Sequence, residues 1–170
     1  NSFEIMSTFS EKDSRIKIFK TKINTGNPAT ARNIGIENSK GQYIAFLDCD
    51  DIWLPNKLEY ELKEFSENIS VVYSYYEKIS HNGQRNSRII KAPAHSNYNL
   101  LLFSDVIGNS TGIYDTKKVG KIYQKSLHQE DYIMWLEILK KGYKAKSHYL
   151  AIKKWVVDAV KEKQTKKGEE

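Results

Sequence analysis

Three carboxylates lie within four residues, at Asp48, Asp50 and Asp51, directly after an apolar run at residues 43–47. Closely spaced carboxylates repel one another, and a divalent cation that takes oxygen ligands removes this repulsion. The structural alternative is that Asp51 caps the following helix while Asp48 and Asp50 are solvated at the end of a strand. We expect a metal site, because the Ile-Trp-Leu-Pro sequence at residues 52–55 fixes the turn that follows.

A second group suited to ligand binding is Arg32 with Asn33, one turn inside a helix that Asn27 and Pro28 begin. Helix N-termini favour anions, and a guanidinium binds phosphate or carboxylate through two hydrogen bonds. A nucleotide diphosphate fits such a site. The alternative is that Arg32 pairs with Glu37 or another acidic side chain on the surface.

The acidic pair Glu130-Asp131, near the start of a predicted helix at residues 129–141, contains a candidate general base. Acidic residues at a helix N-terminus also complement the helix dipole, which is the structural alternative. A hydrolytic triad is not indicated, because no Gly-x-Ser-x-Gly sequence occurs and the single Cys49 has no marked partner. The four histidines show no metal-ligand spacing.

The elements that position these residues alternate between helix and strand, which predicts an α/β fold with a mixed, mainly parallel sheet. Asp48 to Asp51 would lie at the carboxyl end of a central strand, where such sheets bind ligands. The Asn82-Gly83 turn predicts a hairpin. Apolar periodicity predicts strands at residues 15–20, 42–47, 69–76, 108–114 and 145–152, and helices at residues 2–9, 28–41, 55–65, 98–103 and 129–141.

Length and composition indicate one globular domain, since the chain has 170 residues of which 39% are hydrophobic. We expect residues 1–155 to form this domain and residues 156–170 to form a lysine-rich tail that is helical or disordered. No apolar run approaches the roughly 20 residues of a membrane-spanning helix. The formal charge is +6, but the basic residues are dispersed and no nucleic-acid motif occurs, so we expect no nucleic-acid partner. A single cysteine favours a cytoplasmic setting.

Four motifs occur together in a characteristic order: Asn24-Thr25-Gly26, Ala31-Arg32-Asn33, residues 41–55 and residues 130–136. Over residues 1–155 the chain thereby resembles the inverting, nucleotide-sugar-dependent glycosyltransferases of family two, which have the GT-A fold, a Rossmann-like sheet flanked by helices. The resemblance implies transfer of a sugar from a nucleoside diphosphate sugar, with a UDP-sugar favoured, to an acceptor hydroxyl with inversion. It further implies a glycan or lipid-linked acceptor, a role in surface polysaccharide or lipopolysaccharide synthesis, and Mg²⁺ or Mn²⁺ as cofactor.

The same resemblance assigns roles on the donor side of the reaction. Asp48 and Asp50 match the Asp-x-Asp pair, in which Asp50 binds the metal that bridges the diphosphate and Asp48 lies against the ribose and near the metal. Asp51 would support this pair. Arg32 and Asn33 match positions near the donor nucleotide.

On the acceptor side, Asp131 matches the general base that deprotonates the acceptor hydroxyl, and Glu130 would orient Asp131 or the acceptor. Trp135, one helical turn later, is a candidate platform for sugar stacking, and its alternative is a core tryptophan. Lys154 stands where the family often has arginine, and it is a candidate phosphate contact.

The sequence departs from the family pattern at its N-terminus, because the two strands that hold the nucleobase in family members are missing from it. We therefore expect an N-terminally truncated sheet with exposed apolar surface, which favours homo-oligomers. The alternative function is a catalytically inactive remnant that binds a glycan or a partner protein. The lysine-rich tail suggests peripheral contact with the inner face of a membrane.

Overall fold

The computed structural model of the protein describes residues 1–79 and 85–155. A 3₁₀ turn at Asn109–Thr111 precedes the strand at Ile113–Asp115. The helices and strands, in chain order, are α1 (Ser2–Lys12), α2 (Pro28–Asn38), β1 (Tyr43–Ala45), β2 (Asp51–Trp53), α3 (Lys57–Leu62), β3 (Ile69–Ile79), β4 (Arg85–Ile90), β5 (His95–Ser96), α4 (Tyr98–Phe103), β6 (Ile113–Asp115), α5 (Thr116–Val119), α6 (Glu130–Leu139) and β7 (Lys144–Trp155).

Two long strands, β3 and β7, form the centre of the sheet and run parallel to each other. β3 is rich in β-branched and aromatic residues, which suit a pleated and buried surface. The main strand order is β1-β6-β3-β7-β2, while β4 pairs with β3 and β5 pairs with β7. Helices pack against this sheet, so the predicted mixed α/β architecture is confirmed.

Three details of the predicted sheet are wrong. Of the six strand pairings in the described residues, β3 with β7 is parallel and the other five are antiparallel, so the sheet is not mainly parallel. β1 pairs with β6 and has no second neighbour among the described strands, so it is an edge strand and not a central one. Residues 15–20 form no strand, because no described strand offers them a ladder of backbone partners.

The core lies between the sheet and α6, where the apolar half of that helix is buried. Trp135 packs edge-on against two other core rings, with its centroid 6.2 Å from that of Phe46 and 6.3 Å from that of Tyr114. The buried residues of α6 are Met134, Trp135, Ile138 and Leu139. The predicted helix at residues 129–141 is confirmed, although Ile133 and Leu136 are only partly buried.

The apolar spacing in the sequence predicts an inward face at Ala31 and Ile34 in α2 and at Leu58 and Leu62 in α3. Both helices bury other residues. In α2 the buried residues are Ala29 and Ile36, while Ala31 is exposed. In α3 the side chains of Leu58 and Leu62 are exposed, and the buried residues are the charged Lys57 and Glu61.

The N-terminal region leaves an apolar surface uncovered, which agrees with the exposed apolar surface predicted from the sequence. α1 has no buried residue, and Phe3, Ile5, Met6 and Phe9 are all exposed. A groove of 580 Å³ runs between α1, residues 16–19 and α2. Self-association through this surface stays a prediction.

Several expectations concern the remaining parts of the chain. The strands that flank Asn82-Gly83 pair antiparallel, but the turn itself lies outside the described residues, as does the tail at residues 156–170. None of the helices in the described ranges has the length and apolar composition needed to cross a bilayer.

Gly112 packs so tightly against the core that a side chain does not fit. A Cβ atom there would lie 2.6 Å from Cζ2 of Trp135. We expect Gly112→Ala to destabilise the protein by about 1–3 kcal/mol, because the core must shift to admit the methyl group. Urea unfolding measures this change.

Gly35 provides the matched control, because its Cβ would meet no atom within 4 Å and it lies inside α2. Gly35→Ala should stabilise the protein by about 0.5–1 kcal/mol, since alanine loses less conformational freedom in a helix. Equal effects of the two substitutions would contradict the packing of Trp135 against Gly112.

Candidate functional site

The guanidinium of Arg32 joins the carboxylate motif to the acidic pair of α6. Its Nη2 donates to Oδ1 of Asp48 at 2.7 Å, and its Nη1 donates to Oε1 of Glu130 at 2.7 Å. All three side chains are largely buried, with exposed fractions of 18%, 27% and 15% for Arg32, Asp48 and Glu130. The alternative pairing of Arg32 with Glu37 is wrong, since Glu37 accepts a hydrogen bond from Tyr123 instead.

The start of α2 explains why Arg32 points into the site. The Asn27 side chain caps the helix by accepting a hydrogen bond from the Ala29 backbone at 2.8 Å, and Pro28 occupies the first turn. Arg32 and Asn33 therefore follow one turn later. Asn33 forms two hydrogen bonds of 2.8 Å with the backbone N–H and C=O of Gln124, and these hold the segment before α6 against α2.

Four side chains close a ring of hydrogen bonds, which we call the polar ring: Arg32, Asp48, Asn109 and Gln124. Arg32 Nη1 donates to Oε1 of Gln124 at 3.2 Å, and Gln124 Nε2 donates to Oδ1 of Asn109 at 3.2 Å. Asn109 Nδ2 then donates to Oδ1 of Asp48 at 3.0 Å, the oxygen that also binds Arg32. The ring fixes the orientation of the Asp48 carboxylate.

Asn109 and Gln124 were not identified from the sequence. Asn109 lies in the segment 108–114 that was predicted as a strand, and three consecutive polar residues at 109–111 were the available signal that this segment is not regular. Gln124 carries no comparable signal, because it lies in an irregular segment and meets Asn33 and Arg32 only through the fold.

The 109–111 turn also binds a residue on each side of the carboxylate motif, the backbone of Asp48 and the side chain of Trp53. The Asp48 N–H donates to Oγ of Ser110 at 3.0 Å, and Nε1 of Trp53 donates to the Ser110 carbonyl oxygen at 2.9 Å. Asp51 lies between them in β2, where it is buried. It does not cap α3, whose N-cap is Asn56, so the capping alternative is wrong.

Asp50 is exposed, two residues beyond the anchored Asp48. Within residues 1–79 and 85–155, no three His, Cys, Asp or Glu side chains form a group that could hold a metal ion. Mg²⁺ is commonly held by one or two carboxylates together with phosphate oxygens of a substrate. Asp50 and Asp48 fit that kind of site, in which the ligand completes the coordination.

Asp131 lines a cleft of 390 Å³, and the side chain of its neighbour Glu130 does not. The other walls of the cleft include Tyr76, Lys91 and residues of the 109–111 turn. Because Ser110 both lines this cleft and binds the Asp48 backbone, the cleft adjoins the carboxylate motif. The two adjacent carboxylates of α6 thus have different surroundings, an ion pair for Glu130 and an open cleft for Asp131.

The two remaining candidates were assigned to the acceptor. Trp135 is fully buried in the core, so its prediction as a platform for sugar stacking is wrong. Because no part of the side chain is exposed, neither face of its ring is open to a sugar. Lys154 pairs with Asp51 in the register of β2 and β7, and its side chain lies outside the described part of the structure.

Removal of the Arg32 guanidinium should destabilise the fold as well as the site. Arg32→Gln leaves the carboxylates of Asp48 and Glu130 without their shared counter-charge, at an expected cost of about 2 kcal/mol. Arg15→Gln is the control, because Arg15 also pairs with an acid, Asp13, but its side chain is 89% exposed. Urea unfolding should show no measurable change for this control, and an unchanged Arg32→Gln would contradict the bridging role.

Comparison with known proteins finds a family model and several curated relatives that match this chain. A family model, Glycosyl transferase family 2, matches residues 1–136. The chain is 40% identical over 129 residues to the Escherichia coli UDP-Glc:alpha-D-GlcNAc-diphosphoundecaprenol beta-1,3-glucosyltransferase WfgD, covering 75% of this chain and 50% of that protein. It is 34% identical over 145 residues to the Bacillus subtilis (strain 168) putative teichuronic acid biosynthesis glycosyltransferase TuaG, covering 84% and 57% of the two chains.

Solved structures show the same fold. The S. aureus TarS 1–349 structure in complex with UDP superposes with a TM-score of 0.64 at 19% identity, covering 91% of this chain and 47% of that one. The chain thus spans about half the length of the curated relatives that it matches. With the family match extending over residues 1–136, the chain belongs to glycosyl transferase family 2.

Proposed function

We propose that this chain contributes the catalytic site of a glycosyltransferase that moves a sugar from a nucleoside diphosphate sugar to an acceptor hydroxyl with inversion. The observation that supports this most is the Arg32 bridge, which joins the anchored Asp48 to Glu130 while leaving Asp131 in an adjoining cleft. The same group of residues would thereby provide a donor side at Asp48 and an acceptor side at Asp131. The process served is polysaccharide synthesis, because one relative is named for a lipid-linked sugar acceptor and another for teichuronic acid biosynthesis.

The donor side consists of Asp48, Asp50, Arg32 and Asn33. Asp50 and Asp48 would hold Mg²⁺ or Mn²⁺ against the diphosphate, and the bound metal would stabilise the negative charge of the leaving group. Asp48 would also lie against the ribose. A UDP-sugar is favoured because WfgD is named for UDP-Glc and the TarS structure contains UDP.

The acceptor side is the cleft beside Asp131. The Asp131 carboxylate accepts the proton of the acceptor hydroxyl while the hydroxyl oxygen bonds to the anomeric carbon. The bond from that carbon to the diphosphate breaks, and its electron pair leaves with the diphosphate. Attack from the side opposite the leaving group inverts the anomeric centre. Glu130 positions the start of α6 through its ion pair with Arg32.

The acceptor proposed for this cleft is a glycan or a lipid-linked sugar. WfgD is named for a lipid-linked acceptor, GlcNAc-diphosphoundecaprenol, which carries a diphosphate. Lys91 lines the cleft and is therefore a candidate for a contact with acceptor phosphate. Lys154 is a candidate only through the family resemblance.

Binding of the nucleotide is tested with UDP and Mn²⁺ in a thermal-shift titration. A ligand at 100 times its Kd stabilises the folded state by about 2.7 kcal/mol, which raises Tm by several degrees. We expect this shift for the wild-type chain and its loss in Asp50→Asn. Glu67→Gln, which neutralises another exposed acid, should retain it. A shift of equal size in Asp50→Asn would contradict a metal-linked donor site at Asp50.

The role of Asp131 as a base is tested by Asp131→Asn, which keeps the shape of the side chain but cannot accept the proton. We expect sugar transfer from UDP-glucose to a GlcNAc-diphospho-lipid to slow by about 10²–10⁴-fold. The UDP thermal shift should not change, because Asp131 lies on the acceptor side. The wild-type chain could instead bind UDP and transfer no sugar, even when other donor sugars and other acceptors are supplied. That result would favour the alternative function, an inactive remnant that binds a glycan or a partner protein.

A further inference from the structure

A buried ion pair on α3 has no part in the proposed chemistry. Nζ of Lys57 forms an ion pair with Oε2 of Glu61, and the two side chains are 1% and 0% exposed. Lysine and glutamate are almost never fully buried unless they are paired. Nζ of Lys57 makes a second hydrogen bond, to the carbonyl oxygen of Thr111 at 3.0 Å.

Stability alone is a poor explanation for this pair. Burial lowers the pKa of Lys57 and raises the pKa of Glu61, so each group depends on the other to remain charged. Replacement of a buried ion pair by apolar residues of similar volume is often neutral or stabilising. Leu58 and Leu62 of the same helix are exposed, although a leucine in place of Lys57 or Glu61 would suit the core better.

The second hydrogen bond of Lys57 reaches the turn that holds the carboxylate motif. Thr111 ends this turn, and the two residues before it, Asn109 and Ser110, bind the side chain and the backbone of Asp48. Lys57 also lies 5.2 Å from the ring centroid of Trp53, whose indole N–H donates to Ser110. One ammonium group therefore contacts both the 109–111 turn and the ring that this turn binds.

We propose that Lys57, with its charge balanced by Glu61, is a positioning residue that fixes the 109–111 turn so that Asp48 is held ready for the donor nucleotide. The expected effect on UDP binding rests on the proposed function. The placement of the 109–111 turn against Trp53 does not depend on that function. Loss of a residue that orients a ligand-binding group typically lowers affinity about 10–100-fold.

The test replaces both charges at once with Lys57→Met and Glu61→Met, which removes the ammonium without leaving a lone buried carboxylate. We expect this double variant to unfold in urea near the wild-type midpoint. It should bind UDP with Mn²⁺ about tenfold or more weakly, since the turn no longer holds Asp48. The indole N–H resonance of Trp53, assigned with Trp53→Phe, should move in the ¹H–¹⁵N spectrum.

The matched control uses the other Lys–Glu pair of this region, Lys63 with Glu59, which has the same spacing of four residues but is exposed. Lys63→Met with Glu59→Met should change neither the UDP affinity nor the Trp53 resonance. Lys57→Arg retains a charged donor at this position and should bind UDP more tightly than the Met double variant, although less tightly than wild type because the hydrogen-bond geometry differs.

Each outcome decides the proposal. Wild-type affinity in the folded Met double variant overturns it, as does an unmoved Trp53 resonance. If the wild-type chain binds no UDP, the proposed function fails separately, and the Trp53 resonance alone decides whether Lys57 positions the turn. If the Met double variant does not fold, Glu61→Gln takes its place, because this change removes the counter-charge of Lys57 while keeping the shape of the side chain. Unchanged UDP affinity together with an unmoved Trp53 resonance in Glu61→Gln would overturn the proposal.

Discussion

The arrangement of the site depends on one cation placed between two carboxylates. Arg32 satisfies Asp48 and Glu130 at the same time, and these residues belong to segments that are far apart in the chain. Without a shared positive charge, two largely buried carboxylates would repel each other and lose solvation. The capped start of α2 that presents Arg32, the loop that carries Asp48 and the first turn of α6 are therefore held in one relative position.

The site is built in two layers of hydrogen bonds. The polar ring orients the Asp48 carboxylate directly, and the Lys57–Glu61 pair holds the 109–111 turn that supplies one member of that ring. Closed networks of this kind are strong when every member has its partner and weak when one is lost. Asp48 and Arg32 are consequently held by several partners, whereas Asp50 is exposed and Asp131 lines an open cleft.

The sequence predicted which polar residues meet at the site better than it predicted the packing. Asp48, Arg32 and Glu130 were each identified from local patterns, and the structure brings them together. The inner face of α3 was not predictable from apolar spacing, because a buried ion pair there takes the place of its leucines. The edge position of β1 and the burial of Trp135 depend on contacts between distant segments, about which local periodicity carries no information.

The cleft beside Asp131 has walls of two kinds. One wall belongs to the 109–111 turn, which cannot move without disturbing Asp48, and another is formed by Ile90 at the end of β4 and by connecting residues at 91–92 and 104–106. None of these connecting residues belongs to the polar ring or to the ion pair on α3. Under the proposed function, exchanges at residues 91–92 or 104–106 would therefore reshape the pocket for a different acceptor while Asp48 and its partners stay in place, so that two short connecting segments would set the acceptor.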